Sequence, residues 1–437
     1  MNKRMIGFVL GRILLVEAGL LTLPLAVALL YREPAMPWLI TMAALVVCGA
    51  LLSFRKPERT ALYAKDGFAA VALVWLLMSA FGALPFVLSG DILHYVDAFF
   101  ETVSGFTTTG ASILPAVEPL SRGSLFWRSF THWVGGMGVL VFVMAILPMS
   151  DGHTMHILRA EMPGPTAGKL VSRMSDTAKI LYGIYFVMTA VMILLLVLGG
   201  MDLFDACIHA FGTAGTGGFS SRNASVGAYG SPVIDMIIAV FALLFSVNFS
   251  VYFLVLHRRL KEALKSDELR FFLGVVAAAT VVITLDLLPI YQNTLESLRY
   301  AFFQVASIIS TTGFATADYV LWPQLSRLVL VLLMFCGACA GSTGGGIKCS
   351  RVLMLLRAIR REIHQIAHPR SVEVVKLDGK VAEESTVHSV LVFVGCYGLI
   401  LLGAALVVSL DKMPFDVSFS AALTCLSNVG PGLAAIG

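Results

Sequence analysis

The chain has 437 residues, of which 58% are hydrophobic and 13% charged, and its formal net charge is +4. A soluble domain carries roughly 25% charged residues, so this composition, with a mean hydropathy of +0.86, excludes an ordinary water-soluble protein. The apolar residues fall in blocks near the roughly 20 residues that a spanning helix needs. The blocks lack the alternation of barrel strands, and backbone groups cannot go unpaired in lipid, so an all-α polytopic membrane protein is the expectation.

In chain order the predicted spans lie near residues 6–30, 38–54, 67–88, 124–147, 178–198, 232–256, 271–288, 325–340 and 387–410. Basic residues cluster at Lys3 and Arg4, at Arg55, Lys56, Arg59 and Lys65, and at Arg159, Lys169, Arg173 and Lys179. Further clusters are Arg258, Arg259, Lys261, Lys265 and Arg270, and the stretch from Lys348 to Lys380. Positive loops mark the cytoplasmic side, which places the N-terminus inside and makes the segments between clusters re-enter from outside. The first block is too long for a cleavable signal and is interrupted by Glu17, so it reads as a retained span. Glu17 and Arg12 are membrane-embedded ionisable residues and therefore functional candidates, but a place near the cytoplasmic end predicts simple snorkelling. The seven cysteines show no disulfide framework, and Cys336 and Cys339, a CxxC inside an apolar helix, read as packing.

The chain repeats itself. Segments 94–112, 202–221, 297–316 and 413–432 each follow a span and each run from a short apolar stretch into a Thr/Ser/Gly-rich turn. Asp97 stands thirteen positions before Gly110, as Asp205 does before Gly218. The stretches after Asp97, Asp205, Arg299 and Asp416 are about three turns long, too short to cross at 1.5 Å per residue. They read as re-entrant helices, tolerated where the non-helical return is buried or lines a cavity. The expected organisation is a peripheral helix pair at 1–66 and helix–pore-loop–helix repeats at 67–150, 151–265, 266–365 and 366–437. The repeats are expected to be pseudo-symmetric around one pore, the last lacking its second span.

The turns are Thr107-Thr108-Thr109-Gly110, Gly215-Thr216-Gly217-Gly218, Ser310-Thr311-Thr312-Gly313 and Ser427-Asn428-Val429-Gly430. An ion leaving water needs its hydration oxygens replaced, and backbone carbonyls do this without a trapping charge. Aiming successive carbonyls to one side needs backbone angles that Gly reaches at low cost. Each preceding helix also points its partially negative C-terminus at the turn, which favours a cation. The candidate ligands are Thr108, Thr109, Gly110, Thr216, Gly217, Gly218, Thr311, Thr312, Gly313, Asn428, Val429 and Gly430. A single such turn could be an ordinary glycine turn; four at matching places argue for a monovalent-cation filter.

A second stretch, GACAGSTGGGIK at 337–348, interrupts the inner span of the third repeat. Each glycine weakens a helix by about 1 kcal/mol relative to Ala, so this span is expected to break. It is not a phosphate loop, because the GK[ST] ending and a preceding strand are missing. The reading is a gate built from Gly341, Ser342, Thr343, Gly344, Gly345, Gly346 and Lys348, with helix packing as the alternative.

With these turns and the run HWVGGMGVLVFVMAILP at 132–148, the chain resembles the TrkH/TrkG branch of the Trk/Ktr/HKT superfamily of potassium transporters over essentially its whole length. The resemblance implies potassium over sodium, because all four filter positions are Gly, and an intramembrane loop at 337–348 that obstructs the pore. It implies a homodimer in the bacterial inner membrane with one pore per subunit. It also implies docking of a soluble nucleotide-binding TrkA-type subunit on basic loops such as 351–384. Potassium enters as the transported ion; no bound cofactor, catalytic residue or nucleic-acid partner is expected. The family's final helix, which closes the fourth side of the pore, has no counterpart after Gly430. A proton- or sodium-coupled secondary transporter is the main rival. It wants acids or His near the midplane, whereas His94, His132 and His209 are expected near the outer ends. An intramembrane enzyme is disfavoured, since no HExxH, GxSxG or paired intramembrane Asp occurs.

Overall fold

The computed structural model describes residues 2–55, 57, 63–136, 138 and 174–432, and these are helical nearly throughout. The strands among them are one small hairpin, Lys376–Leu377 against Lys380–Val381. Among the described residues, six helices are long and apolar enough to cross a membrane: Lys3–Leu30, Met36–Ser53, Lys65–Ser89, Lys179–Leu198, Asp267–Tyr291 and Glu384–Asp411. The bent pair Pro232–Phe245 and Phe249–Leu256 makes a seventh if it is counted as one span. Large apolar side chains on the outside, such as Leu51, Leu399 and Leu406, are what a lipid-facing surface requires.

Four shorter helices interleave with the spans: Tyr95–Phe106, Leu203–Gly215, Thr294–Ile309 and Phe415–Ser427. They match the expected re-entrant helices. The third is longer than expected because Asn293 caps it, its side chain accepting from the Leu295 N–H, and so starts it before Arg299.

The described residues up to Ala228 form one compact unit and those from Tyr229 a second. In the first, Ile13, Leu14, Leu45, Val74, Met78, Phe86, Phe106 and Trp127 share a core. Its first two spans meet through glycine: a Cβ on Gly11 would stand 2.7 Å from the Gly49 carbonyl oxygen, and one on Gly49 2.9 Å from that of Gly11. Small residues let backbones approach this closely where lipid supplies no hydrophobic drive between helices. In the second unit Phe272, Ile283, Leu287, Val305, Ile308, Leu330, Met334 and Leu423 form the core.

Several expectations need correction. The block at 232–256 is not one straight span but bends by 91° between Phe245 and Phe249, where Asn248 starts a new helix by accepting from the Ser250 N–H. The third repeat's inner helix ends at Cys336, earlier than the predicted 340. Glu17 does not snorkel: it is fully buried, facing Gly82, and neither carboxylate oxygen has a hydrogen-bond partner among the described residues. Arg12 is exposed beside Phe8. Of the block at 124–147, helix Arg122–Gly136 is described; the rest, with most of the run 132–148 and with Lys56, Arg59, Arg159, Lys169 and Arg173, lies outside the described residues.

Candidate functional site

The four turns share one backbone geometry. Two positions before each glycine stands a residue with left-handed φ: Thr108 at 58°, Thr216 at 57°, Thr311 at 60° and Asn428 at 62°. The glycines themselves have φ of 79° at Gly110, 78° at Gly218, 82° at Gly313 and 98° at Gly430. The residue between them is not left-handed, so the hand alternates. That alternation turns successive carbonyls toward the same side, which a row of cation ligands requires. A β-carbon makes the left-handed region costly, so Gly is favoured at the second left-handed position.

The hydrogen bonds repeat as well. The N–H groups of Thr109, Gly217, Thr312 and Val429 reach back five residues to the carbonyls of Ser104, Gly212, Ser307 and Thr424, at 2.9, 2.8, 2.9 and 2.9 Å. Those of Thr108, Thr216, Thr311 and Asn428 reach back three residues, at 3.1, 3.1, 3.0 and 3.2 Å. This is a Schellman-type helix end, in which a left-handed residue lets following N–H groups satisfy the last helical carbonyls. Each turn is thus a helix terminus continued into an ordered strand of carbonyls. Hydroxyl pairs stiffen two of them: Thr107 with Thr109 at 2.8 Å and Ser310 with Thr312 at 2.7 Å.

In the first unit the two turns are braced by helix Arg122–Gly136. Its His132, fully buried, donates from Nδ1 to the Gly105 carbonyl at 2.7 Å. The other face of that residue closes on the second turn, where a Cβ on Gly215 or Gly217 would overlap it. A Cβ on Gly135 would overlap the Phe106 carbonyl, and one on Gly136 would stand 2.5 Å from the Gly215 Cα. Arg128 lies on the same helix and forms a buried ion pair with Glu101 at 2.5 Å. It also donates to the Ser220 carbonyl at 3.2 Å and lies over the Phe219 ring. Glu101 in turn accepts from the Ser112 hydroxyl and the Ile113 N–H, tying the segment after the first turn to its own pore helix. His209 makes the equivalent contact with the Ser220 hydroxyl at 3.0 Å.

In the second unit the third and fourth turns touch: a Cβ on Gly313 would overlap the Val429 carbonyl. Ser307 donates to the Phe314 carbonyl at 2.6 Å and Thr424 to the Pro431 carbonyl at 2.9 Å, matching contacts one repeat apart. Tyr397 and Ser427 share a hydroxyl hydrogen bond of 2.6 Å.

The glycine-rich stretch 337–348 is a loop between helices Gln324–Cys336 and Cys349–Ala367, and it lies against those two turns. The Gly345 N–H donates to the Thr311 hydroxyl at 2.6 Å, and the Gly346 N–H to the Ser427 carbonyl at 2.8 Å. A Cβ on Gly345 would stand 2.6 Å from the Ser427 carbonyl oxygen, and one on Gly344 would stand 2.7 Å from that of Ser310. The loop also fills the bend at Phe245–Phe249. Cys339 N–H bonds the Ser246 carbonyl at 3.0 Å, Thr343 Oγ1 the Phe245 carbonyl at 3.1 Å, and Phe249 N–H the Gly341 carbonyl at 3.0 Å. Two broken helices thereby satisfy each other's exposed backbone, as membrane burial demands. Lys348, left-handed and buried, donates its ammonium to the Gly344 carbonyl. The Cys336 sulfur sits 3.5 Å from that of Cys349, both buried, so its near neighbour lies across the loop.

The turn residues at 108–110 and 216–218 lie in the first unit, and those at 311–313 and 428–430 lie in the second with the loop at 337–348. Sequence reasoning missed Glu101, Arg128 and Tyr397; His132 and His209, which it placed near the outer ends, are buried beside turns. A signal was present: Glu101, His209 and Gln304 each stand nine positions before Gly110, Gly218 and Gly313, a recurrent polar position in otherwise apolar helices.

The family model for TrkH, a cation transport protein, matches residues 35–436. The Trk system potassium uptake protein TrkH of Escherichia coli K12 is 37% identical over 443 residues, covering 100% of this chain and 92% of its own. TrkG of the same organism is 34% identical over 94% of this chain and 86% of its own length. The crystal structure of the potassium transporter TrkH from Vibrio parahaemolyticus superposes with a TM-score of 0.90 at 34% identity, covering 100% of this chain and 92% of that one. By sequence and by fold, this multi-pass membrane protein belongs to the TrkH family of cation transport proteins.

Proposed function

We propose that this chain takes up potassium across the bacterial inner membrane through a carbonyl-lined filter gated by its glycine-rich loop. The observation that carries the reading is the fourfold recurrence of one turn, left-handed two positions before a glycine and left-handed again at it. A Schellman-type helix end accounts for the hydrogen bonds of one turn; four such ends, each with a left-handed glycine two positions on, suit an ion that must find equivalent oxygens in place of water. Residues 108–110, 216–218, 311–313 and 428–430 are the proposed ligands.

Gly341, Ser342, Thr343, Gly344, Gly345, Gly346 and Lys348 form the proposed gate. Its support is the direct bonding of Gly345 and Gly346 to Thr311 and Ser427, which sets the loop against two of the proposed filter turns. The names of the relatives support potassium as the cargo, and the positive-inside pattern supports a cytoplasmic N-terminus. Four pseudo-symmetric repeats at 67–150, 151–265, 266–365 and 366–437 after a helix pair at 1–66, a homodimer, and a TrkA-type regulatory partner at 351–384 complete the reading.

Rubidium uptake into proteoliposomes at fixed voltage, with sodium as competitor, tests it. Wild-type uptake resists sodium, and Gly110→Ser loses that resistance. Uptake that needs a proton gradient at every voltage would instead favour the coupled transporter, for which buried Glu17 is the residue to examine.

A further inference from the structure

We propose that Glu268 is the positioning residue that latches the glycine loop against the third and fourth turns; the proposal rests on the gate reading above. Glu268 is the second residue of helix Asp267–Tyr291 and is 7% exposed. One of its carboxylate oxygens, Oε1, accepts from the Ala340 N–H at 2.7 Å and from the Ser350 N–H at 3.0 Å. Those two donors bracket the loop, one near its start and one just past its end. A single buried oxygen therefore pins both feet of a segment that is itself glycine-rich and has little side chain with which to hold its place.

The two bonds are of the strong kind, backbone donors to a charged acceptor. Removing the acceptor leaves two buried N–H groups unsatisfied, which is where hydrogen-bond energetics are harshest. Glu268 also lies within electrostatic reach of Lys348, whose ammonium is bonded to the Gly344 carbonyl. The charge of the latch and the charge of the loop therefore hold each other in a buried place that either would leave alone.

The latch sits at a mechanical junction. Asp267, the preceding residue, accepts from Arg357 at 2.8 Å and from the Asp378 N–H at 3.0 Å, while its own N–H donates to Asp378 at 2.7 Å. Arg357 belongs to the helix that follows the loop, and Asp378 is the tip of the hairpin at 376–381. A pull on that hairpin reaches Asp267 and, one residue on, the carboxylate that fixes the loop.

The test is basal rubidium uptake into liposomes by the whole chain, by Glu268→Ala and Glu268→Gln, and by a variant lacking residues 342–344. Discrimination against sodium is read in the same vesicles. Loss of two charge-assisted bonds predicts a rise in uptake on the order of a hundredfold for Glu268→Ala. Glu268→Gln, whose amide oxygen still accepts, rises less, and sodium discrimination is unchanged in both. A gain of flux with intact selectivity is a result that damage to the fold does not produce. If Glu268→Ala fails to fold, Glu268→Gln decides alone. If the shortened loop raises uptake while both Glu268 variants stay at the wild-type level, the latch is wrong and the gate stands. If the shortened loop changes nothing either, the gate reading fails and the latch with it. A Glu268 variant that admits sodium overturns the proposal by assigning this residue to the filter.

Discussion

The two turns of the first compact unit and the two of the second have one backbone and different supports. Around Gly110 and Gly218 the braces are charged or aromatic: Glu101 paired with Arg128, Arg128 over Phe219, and His132 wedged between a pore-helix carbonyl and a glycine turn. Around Gly313 and Gly430 they are hydroxyls and backbone, through Ser307, Thr424, Tyr397 and the loop at 337–348. For the proposed filter, the difference separates what an ion would require from what the fold requires. The backbone hand is common to all four turns, as the proposed filter needs, because a bare cation reads only oxygens. The means of holding that hand varies, and in the second unit it runs through contacts with the loop at 337–348.

The comparison breaks most sharply at the buried ion pair. Removing one partner of such a pair leaves an uncompensated charge, at a typical cost of about 3–5 kcal/mol, so Glu101→Ala is expected to lower the thermal unfolding temperature in detergent strongly and to abolish uptake. Among the described residues, the side chains that touch the third and fourth turns directly brace them through hydroxyls rather than an ion pair. There the largest effect is steric. Gly313→Ala meets the Val429 carbonyl and a left-handed backbone, an overpacking and strain cost of roughly 1–3 kcal/mol. It is expected to remove potassium uptake while leaving a folded protein by size exclusion. Tyr397→Phe deletes one hydroxyl bond to Ser427, worth about 1 kcal/mol. Its expected signature is a small fall in unfolding temperature with sodium discrimination largely kept; a fall as large as that of Glu101→Ala would erase the distinction drawn between the two units.

Much of this arrangement was legible in the sequence. The turns stood out because glycine, threonine and serine recur after short apolar stretches, and left-handed backbone has few other solutions. The break near Gly337 was legible from glycine density. The 91° bend after Phe245 was not, because hydropathy runs on through Ser246, Val247 and Asn248 and the bend depends on a loop almost a hundred residues later filling it. Glu101 and Arg128 were invisible as a pair for a related reason: charge partners on different helices carry no mutual spacing rule. Glu17 misled because depth along a helix says how near an end a residue lies, not which neighbour it faces, and it faces the close approach at Gly82.

The ammonium of Lys348 rests on the Gly344 carbonyl inside the loop that contacts the third and fourth turns. A loop that swings away takes this positive charge along, and a charge displaced within a bilayer does electrical work. A full crossing amounts to about 2.3 kcal/mol per 100 mV, so even a tenth of the field contributes roughly 0.2 kcal/mol at that voltage. In the proposed gate, opening thus carries a small gating charge of its own, and a membrane potential biases it. Current–voltage curves of reconstituted protein are expected to show that bias, and Lys348→Gln to flatten it.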